Sequence, residues 1–152
     1  MKETQRIIKL IENAYNGGSW IDVSLIPVLK TISAEQAATK VSPKWNTIWE
    51  IVNHIISWRE NVLKRVQGEV IKTPADNYFV AVKDTSSNAW ANTLEKLEAS
   101  QRNWINFLPH FKEKDFEKIY PNNGLSYYEH IHGIIQHDIY HLGQIVLLAK
   151  AV

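Results

Sequence analysis

Apolar residues recur at three- and four-residue spacings over four long stretches of the chain, the period of one buried helix face and not of a strand. Residues 2–15 set Ile7, Ile8, Ile11, Ala14 and Tyr15 on one stripe and stop at Gly17-Gly18, where glycine accepts the left-handed angles that end helices. A second stretch opens after Ser42-Pro43, proline being suited to a first helical turn. It carries Ile48, Ile51, Val52, Ile55, Trp58, Val62 and Val66 and closes at Gly68. A third begins at Thr85 or Ser86, either of which makes a cap, and runs through Trp90, Leu94, Leu97, Trp104 and Leu108. The fourth runs from Leu125 to the C-terminus, behind a Pro121-Asn122-Asn123-Gly124 turn signal. Residues 23–29 and 33–39 read as short helical pieces, and 71–84, with Pro74, Asp76, Asn77 and Asp84, as a loop. There is no internal repeat. Long helices joined by unequal connections predict an all-α four-helix bundle, one domain over residues 1–152.

Composition narrows the function. The 152 residues hold 17 Lys+Arg against 16 Asp+Glu, a net charge of +1, which argues against a nucleic-acid partner, since phosphate contacts need a basic excess. With no cysteine, a disulfide scaffold, a thiolate zinc site, an iron–sulfur cluster and a cysteine nucleophile are excluded. The last apolar run, 145–149, stops at Lys150, far short of the ~20 residues of a membrane span. The start, MKETQRIIKL, lacks the apolar stretch of a signal peptide. A soluble, cytoplasmic protein with no membrane partner is the expectation.

Six histidines remain, and two of them carry the most information. His137 and His141 are four apart and share one helix face, the geometry with which zinc proteases aim two imidazoles at one cation. The glutamate of that motif is Asp138 here, so the protease motif itself is absent. His54 lies mid-way along the second helix, as the pair does along the fourth, and mid-helix residues reach similar depth in a bundle whichever way the helices run. Their neighbours Ile51, Ile55, Ile134 and Ile145 place these faces inside. Three buried imidazoles without a metal would each need a hydrogen-bond partner. A three-histidine metal site with open positions is the economical account, and satisfied core histidines are the other.

The segments YYEHIHGIIQHDIYHLGQIVLLAK and IWEIVNHIISWRENVLKRVQGE together resemble the DinB/YfiT-like family of metalloenzymes, and the likeness covers most of the chain. It implies a four-helix bundle in which His54, His137 and His141 bind one divalent ion, zinc or nickel. It also implies a homodimer. Characterised relatives include bacillithiol-dependent S-transferases and a mycothiol-dependent isomerase, and many members have no assigned reaction. Position 142 is Leu where such motifs often carry Ala or Arg, which removes one positive contact for an anionic thiol.

Three imidazoles leave an ion open positions. A thiol bound there becomes a nucleophile toward an electrophile, and a bound water supports hydrolysis. Without cysteine in the chain, the thiol must be a low-molecular-weight cosubstrate. Helical angles nominate helpers: Thr47, Glu50, Trp58 and Asn61 share the His54 face, and His130 and Gln144 share that of His137. Glu50 either accepts a proton in catalysis or orients a ligand histidine, or is a surface carboxylate at a helix edge. His130 extends the pocket or sits partly exposed near the helix start. Gln144 holds a bound water or ties two helices together. Asp138, rotated off the ligand face, is expected to bond another helix and to orient a ligand. Gly133 and Gly143 are expected at close helix approaches, and the six tryptophans mostly in core or helix-junction packing, with only Trp58 placed near the pocket. A single Glu129-x-x-His132 motif, with no second copy, excludes a ferritin-like di-iron site. The leading function is metal-dependent, thiol-linked S-transfer to a small-molecule electrophile. The alternatives are a metal-dependent hydrolase, a stress-associated metal-binding protein without turnover, and a helical interaction protein whose histidines are core residues.

Overall fold

The computed structural model describes residues 1–152. Its helices are α1 (Glu3–Asn16), α2 (Leu25–Leu29), α3 (Ala34–Ala38), α4 (Ile48–Val66), α5 (Ser87–Phe107) and α6 (Tyr127–Ala149). Two single 3-10 turns, Leu108–His110 and Glu113–Asp115, follow α5. α1, α4, α5 and α6 form a four-helix bundle, α4 packing against both α5 and α6 and α1 closing the far side. The two short pieces lie on the connection from α1 to α4, as their patterns predict.

Caps set the boundaries. Ser86 accepts from the Ala89 N–H and Ser126 from the Glu129 N–H, starting α5 and α6 within two residues of the sequence expectation. α4 begins later than Pro43 suggests. Residues 42–45 close a turn through Trp45 N–H to the Ser42 carbonyl, and the helix starts only where Thr47 and Glu50 form a capping box.

The core falls into two apolar clusters. One holds Leu25, Leu29, Ile48, Trp49, Ile55, Trp90, Leu97, Leu142 and Ile145, the other Ile7, Ile11, Val62, Val66, Trp104, Leu108, Ile131 and Ile134. The halves of each helix sort between them. The N-terminal halves of α4 and α5 share a cluster with the C-terminal half of α6, so α4 and α5 run parallel and α6 runs against them. Side-chain bonds repeat this register: Trp49 donates to Thr93, and Trp104 to the Arg59 carbonyl. Between the clusters lies a buried polar layer. In it Arg59 of α4 donates to Asp138 of α6 at 2.7 Å and to Gln101 of α5 at 2.9 Å.

Parallel neighbours need a connection that retraces the bundle. α4 has 19 residues, about 28 Å at helical rise, and the chain returns that distance through residues 67–86. That crossover passes over the middle of the bundle, where the histidines are.

Candidate metal centre

His54 projects from α4 and His137 and His141 from adjacent turns of α6. Their ring centroids lie 4.9, 4.6 and 4.4 Å apart pairwise, and one nitrogen from each falls within 4.8 Å of the others. The Nε2 atoms of His54 and His137 face each other at 3.0 Å. His54 and His141 are buried, and His137 keeps 23% of its side chain exposed.

The back of each ring decides what the front offers. His54 Nδ1 meets the Asn77 carbonyl at 2.7 Å. A carbonyl only accepts, so the proton sits on Nδ1 and the lone pair on Nε2. His141 Nδ1 donates to Gln144 Oε1, 2.7 Å away. His137 Nδ1 is buried without a bond, as is Asp138 Oδ1, and the two atoms lie 3.7 Å apart. The proton on His54 Nδ1 leaves its Nε2 lone pair facing His137 Nε2, whereas no bond at Nδ1 fixes the tautomer of His137. That 3.0 Å gap is bridged either by a proton on His137 Nε2 or by a cation between two lone pairs. Metal–imidazole bonds of about 2.0–2.1 Å at tetrahedral angles put nitrogens about 3.3 Å apart, so the residues present fit a metal ion.

Electrostatics point the same way. Burial, reinforced by His137 and His141, pushes His54 down to about 4 against the opposing pull of the Asn77 carbonyl. Burial likewise lowers His141. Neutral imidazoles are the form that binds metal.

The crossover builds the wall. Phe79 stacks on His54 with centroids 3.9 Å apart and planes 8° from parallel. Asn77 and Tyr78 adopt left-handed backbone angles, φ 52 and 64, a conformation that costs energy in a bulky residue. Two side-chain bonds hold it: Trp58 Nε1 donates to Asn77 Oδ1 at 3.0 Å, and Asn61 Nδ2 to the Tyr78 hydroxyl at 2.6 Å. The Trp58 ring lies 6.5 Å from His54 and 6.0 Å from His137, and Asn61 meets the crossover through Tyr78.

Other nominees sit differently. Glu50 is buried, not a surface carboxylate, and both its contacts fall on Oε2, from the Thr47 N–H at 2.7 Å and from Lys40 at 3.4 Å. Thr47 is the cap of α4 and not a pocket group. His130 is buried, not partly exposed, and lies two turns before His137, bonded to Asn123 at 3.3 Å with its ring edge-on to Tyr120. It is therefore outside the triad, because those two turns carry it into the second apolar cluster. Asp138 reaches another helix as expected, through Arg59. A Cβ at Gly133 or Gly143 would meet nothing within 4 Å, so neither glycine marks a close helix approach. Trp49, Trp90 and Trp104 are buried in packing, and Trp20 and Trp45 are the exposed exceptions. Asn77, Tyr78 and Phe79 escaped the sequence reading. Their only signal is an asparagine, which tolerates left-handed angles, before two aromatics in a polar loop.

Fold and site together define a four-helix bundle with a three-imidazole centre at mid-height. The sequence profile of the DinB superfamily matches residues 24–145, and the chain belongs to that superfamily. No curated protein matches it in sequence. Among solved structures, a conserved protein from Enterococcus faecalis is similar in fold, with a TM-score of 0.76 at 15% identity, over 100% of this chain and 98% of that one. YfiT from Bacillus subtilis, described as a probable metal-dependent hydrolase with an unusual four-helix bundle topology, superposes with a TM-score of 0.71 at 15% identity, over 99% of this chain and 89% of that one. No helix is long and apolar enough to cross a membrane.

Proposed function

We propose that the protein is a divalent-metal-dependent enzyme that joins a small thiol to an electrophilic substrate, with zinc or nickel on His54, His137 and His141. The observation that carries this reading is the convergence of three imidazoles whose Nδ1 positions face oxygen atoms. A divalent ion held there would act as a Lewis acid, lowering the pKa of a thiol or water that reaches it.

The chain's own residues favour the thiol. Glu50 is tied to the head of α4 and Asp138 accepts from Arg59 through Oδ2, and the carboxylate oxygen left near the triad, Asp138 Oδ1, lies buried behind the His137 ring. A thiol, with a pKa of about 8.5 against 15.7 for water, needs less help. Phe79 and Trp58 give the pocket aromatic walls that restrict water. In the reaction, the thiol proton passes to solvent and sulfur attacks the electrophilic carbon. A C–S bond forms as the bond to the leaving group breaks, and the leaving group departs with the electron pair. The chain has no cysteine, so the sulfur comes from a low-molecular-weight cosubstrate.

Hydrolysis is the second reading, favoured by the description of the Bacillus subtilis structure. The metal-loaded protein, assayed with a panel of small thiols and a chromogenic aryl halide beside nitrophenyl esters, separates the two. Metal-dependent conjugation that needs the thiol supports S-transfer. Thiol-independent ester cleavage, abolished in His137→Ala, replaces it with hydrolysis. Turnover of neither class by fully loaded protein overturns the enzyme reading.

A further inference from the structure

α4 carries two buried arginines, and the fold treats them differently. Arg59 is neutralised by Asp138. Arg65 is similarly hidden, 7% exposed, yet it has no carboxylate partner. Its one hydrogen bond within the chain runs from Nη2 to Thr73 Oγ1 at 3.1 Å, and its Nε is buried with no acceptor. The guanidinium lies against the faces of Trp58 and Tyr120, 5.2 and 4.8 Å from their centroids. Aromatic faces attract a cation but do not replace the oxygen acceptors a guanidinium loses on leaving water. The charge is felt nearby: after burial, Arg65 is the next cause that lowers His130.

Position gives this unspent charge a use. His54, Trp58, Asn61 and Arg65 follow one another along a single stripe of α4. Trp58 stands between the two ends, near His54 and His137 on one side and the guanidinium on the other. Thr73, which holds Arg65, belongs to the same crossover as Asn77 and Phe79, which cover His54. The crossover is bonded to each of these residues in turn, so a molecule that displaced it from the stripe would meet the imidazoles at one end and a guanidinium without a carboxylate at the other.

We infer that Arg65 binds a carboxylate of the substrate or of its thiol partner, anchoring the molecule whose reacting end lies at the histidines. This rests on the pocket being a substrate site. The planar fork of a guanidinium matches a carboxylate in shape and charge. An arriving carboxylate supplies the acceptor that the chain withholds, replacing or joining the Thr73 hydroxyl.

The test titrates chelator-stripped, full-length protein with acetate, succinate and inorganic phosphate at constant ionic strength, with chloride as control. The readout is the NMR signal of the Arg65 Nε–H, assigned by its disappearance in Arg65→Lys. Acetate and succinate are expected to shift it saturably while the exposed Arg6 and Arg102 follow the chloride control. Calorimetric affinity for succinate is expected to fall about tenfold or more in Arg65→Met, which lacks the fork. A signal unmoved by all three anions overturns the inference, and a shift with phosphate alone overturns the carboxylate assignment. Unchanged affinity in a folded Arg65→Met overturns the role of Arg65. Because the signal is read without metal, its silence in a protein that still binds metal rejects this inference alone. Loss of metal binding beside an intact Arg65 shift rejects only the enzyme reading.

Discussion

At the scale of single residues, the centre depends on what stands behind each imidazole. His54 is oriented by a backbone carbonyl and His141 by a side-chain amide, while His137 faces a carboxylate that belongs to Arg59. Asp138 bonds Arg59 through Oδ2 and leaves Oδ1 3.7 Å from His137 Nδ1, and Asp138→Asn tests whether it serves both the bundle and the centre. Removing the partner of a buried arginine leaves an uncompensated charge, so chemical denaturation should show a loss of about 3 kcal/mol. Metal affinity should fall by about 10- to 100-fold, as for other residues that orient a ligand. The double variant Arg59→Met/Asp138→Asn should recover much of the stability and none of the affinity. Recovery of both would mean that Asp138 acts on the bundle alone. The clustering of the three histidines was legible in the sequence because a spacing of four and a mid-helix position are both properties of the local chain. The tautomer was not, since Asn77 lies 23 residues from His54 and no pattern pairs them.

At the scale of elements, α4 and the crossover after it assemble most of the pocket. The stripe Thr47, Glu50, His54, Trp58, Asn61, Arg65 was readable as one helix face, but its division of labour was not. The first two residues turn the helix on, the middle three serve the pocket, and the last lies beneath the crossover. Glu50→Gln tests that division, because glutamine also completes a capping box. The variant should match the wild type within about 0.5 kcal/mol and keep its metal and its turnover. A fall in kcat with unchanged stability would make Glu50 a catalytic base after all. The crossover itself was visible only as a loop. Periodicity gives a helix its buried face and says nothing of its direction, so the parallel pairing of α4 and α5, and the return path it forces across His54, appear only in three dimensions.

For the whole molecule, the division of the core matters most. Two apolar clusters hold the bundle, and the layer between them is buried, polar and rich in histidine. This arrangement has a pH signature in the metal-free protein. Burial is the largest cause lowering His54, His141 and His130, with His54 at about 4. Above the unfolded value of about 6.5 these groups are neutral in both states and contribute no pH dependence. Below it the unfolded chain takes up protons that the native chain refuses, so stability falls as the pH drops from 6.5 toward 4. Thermal unfolding from pH 8 to 4.5 should show Tm flat and then declining, with a shallower decline in His130→Asn. A Tm that rises on acidification would contradict the burial of these rings. The fold class was legible at this scale because four amphipathic stretches leave few other ways to bury their faces. The exposed Trp20 and Trp45 show the limit of the same logic, since a tryptophan in a connection has no period to assign it a side.

The central claim, that the three imidazoles hold a metal, is tested most directly by metal content. Untagged protein, reconstituted with zinc or nickel and desalted, is measured by mass spectrometry beside His54→Ala, His137→Ala and His141→Ala. About one divalent ion per chain is expected in the wild type, and most of it should be lost in each variant while circular dichroism stays helical. No bound metal in the wild type, or a full equivalent retained in all three variants, would contradict the account and leave a helical bundle with buried histidines.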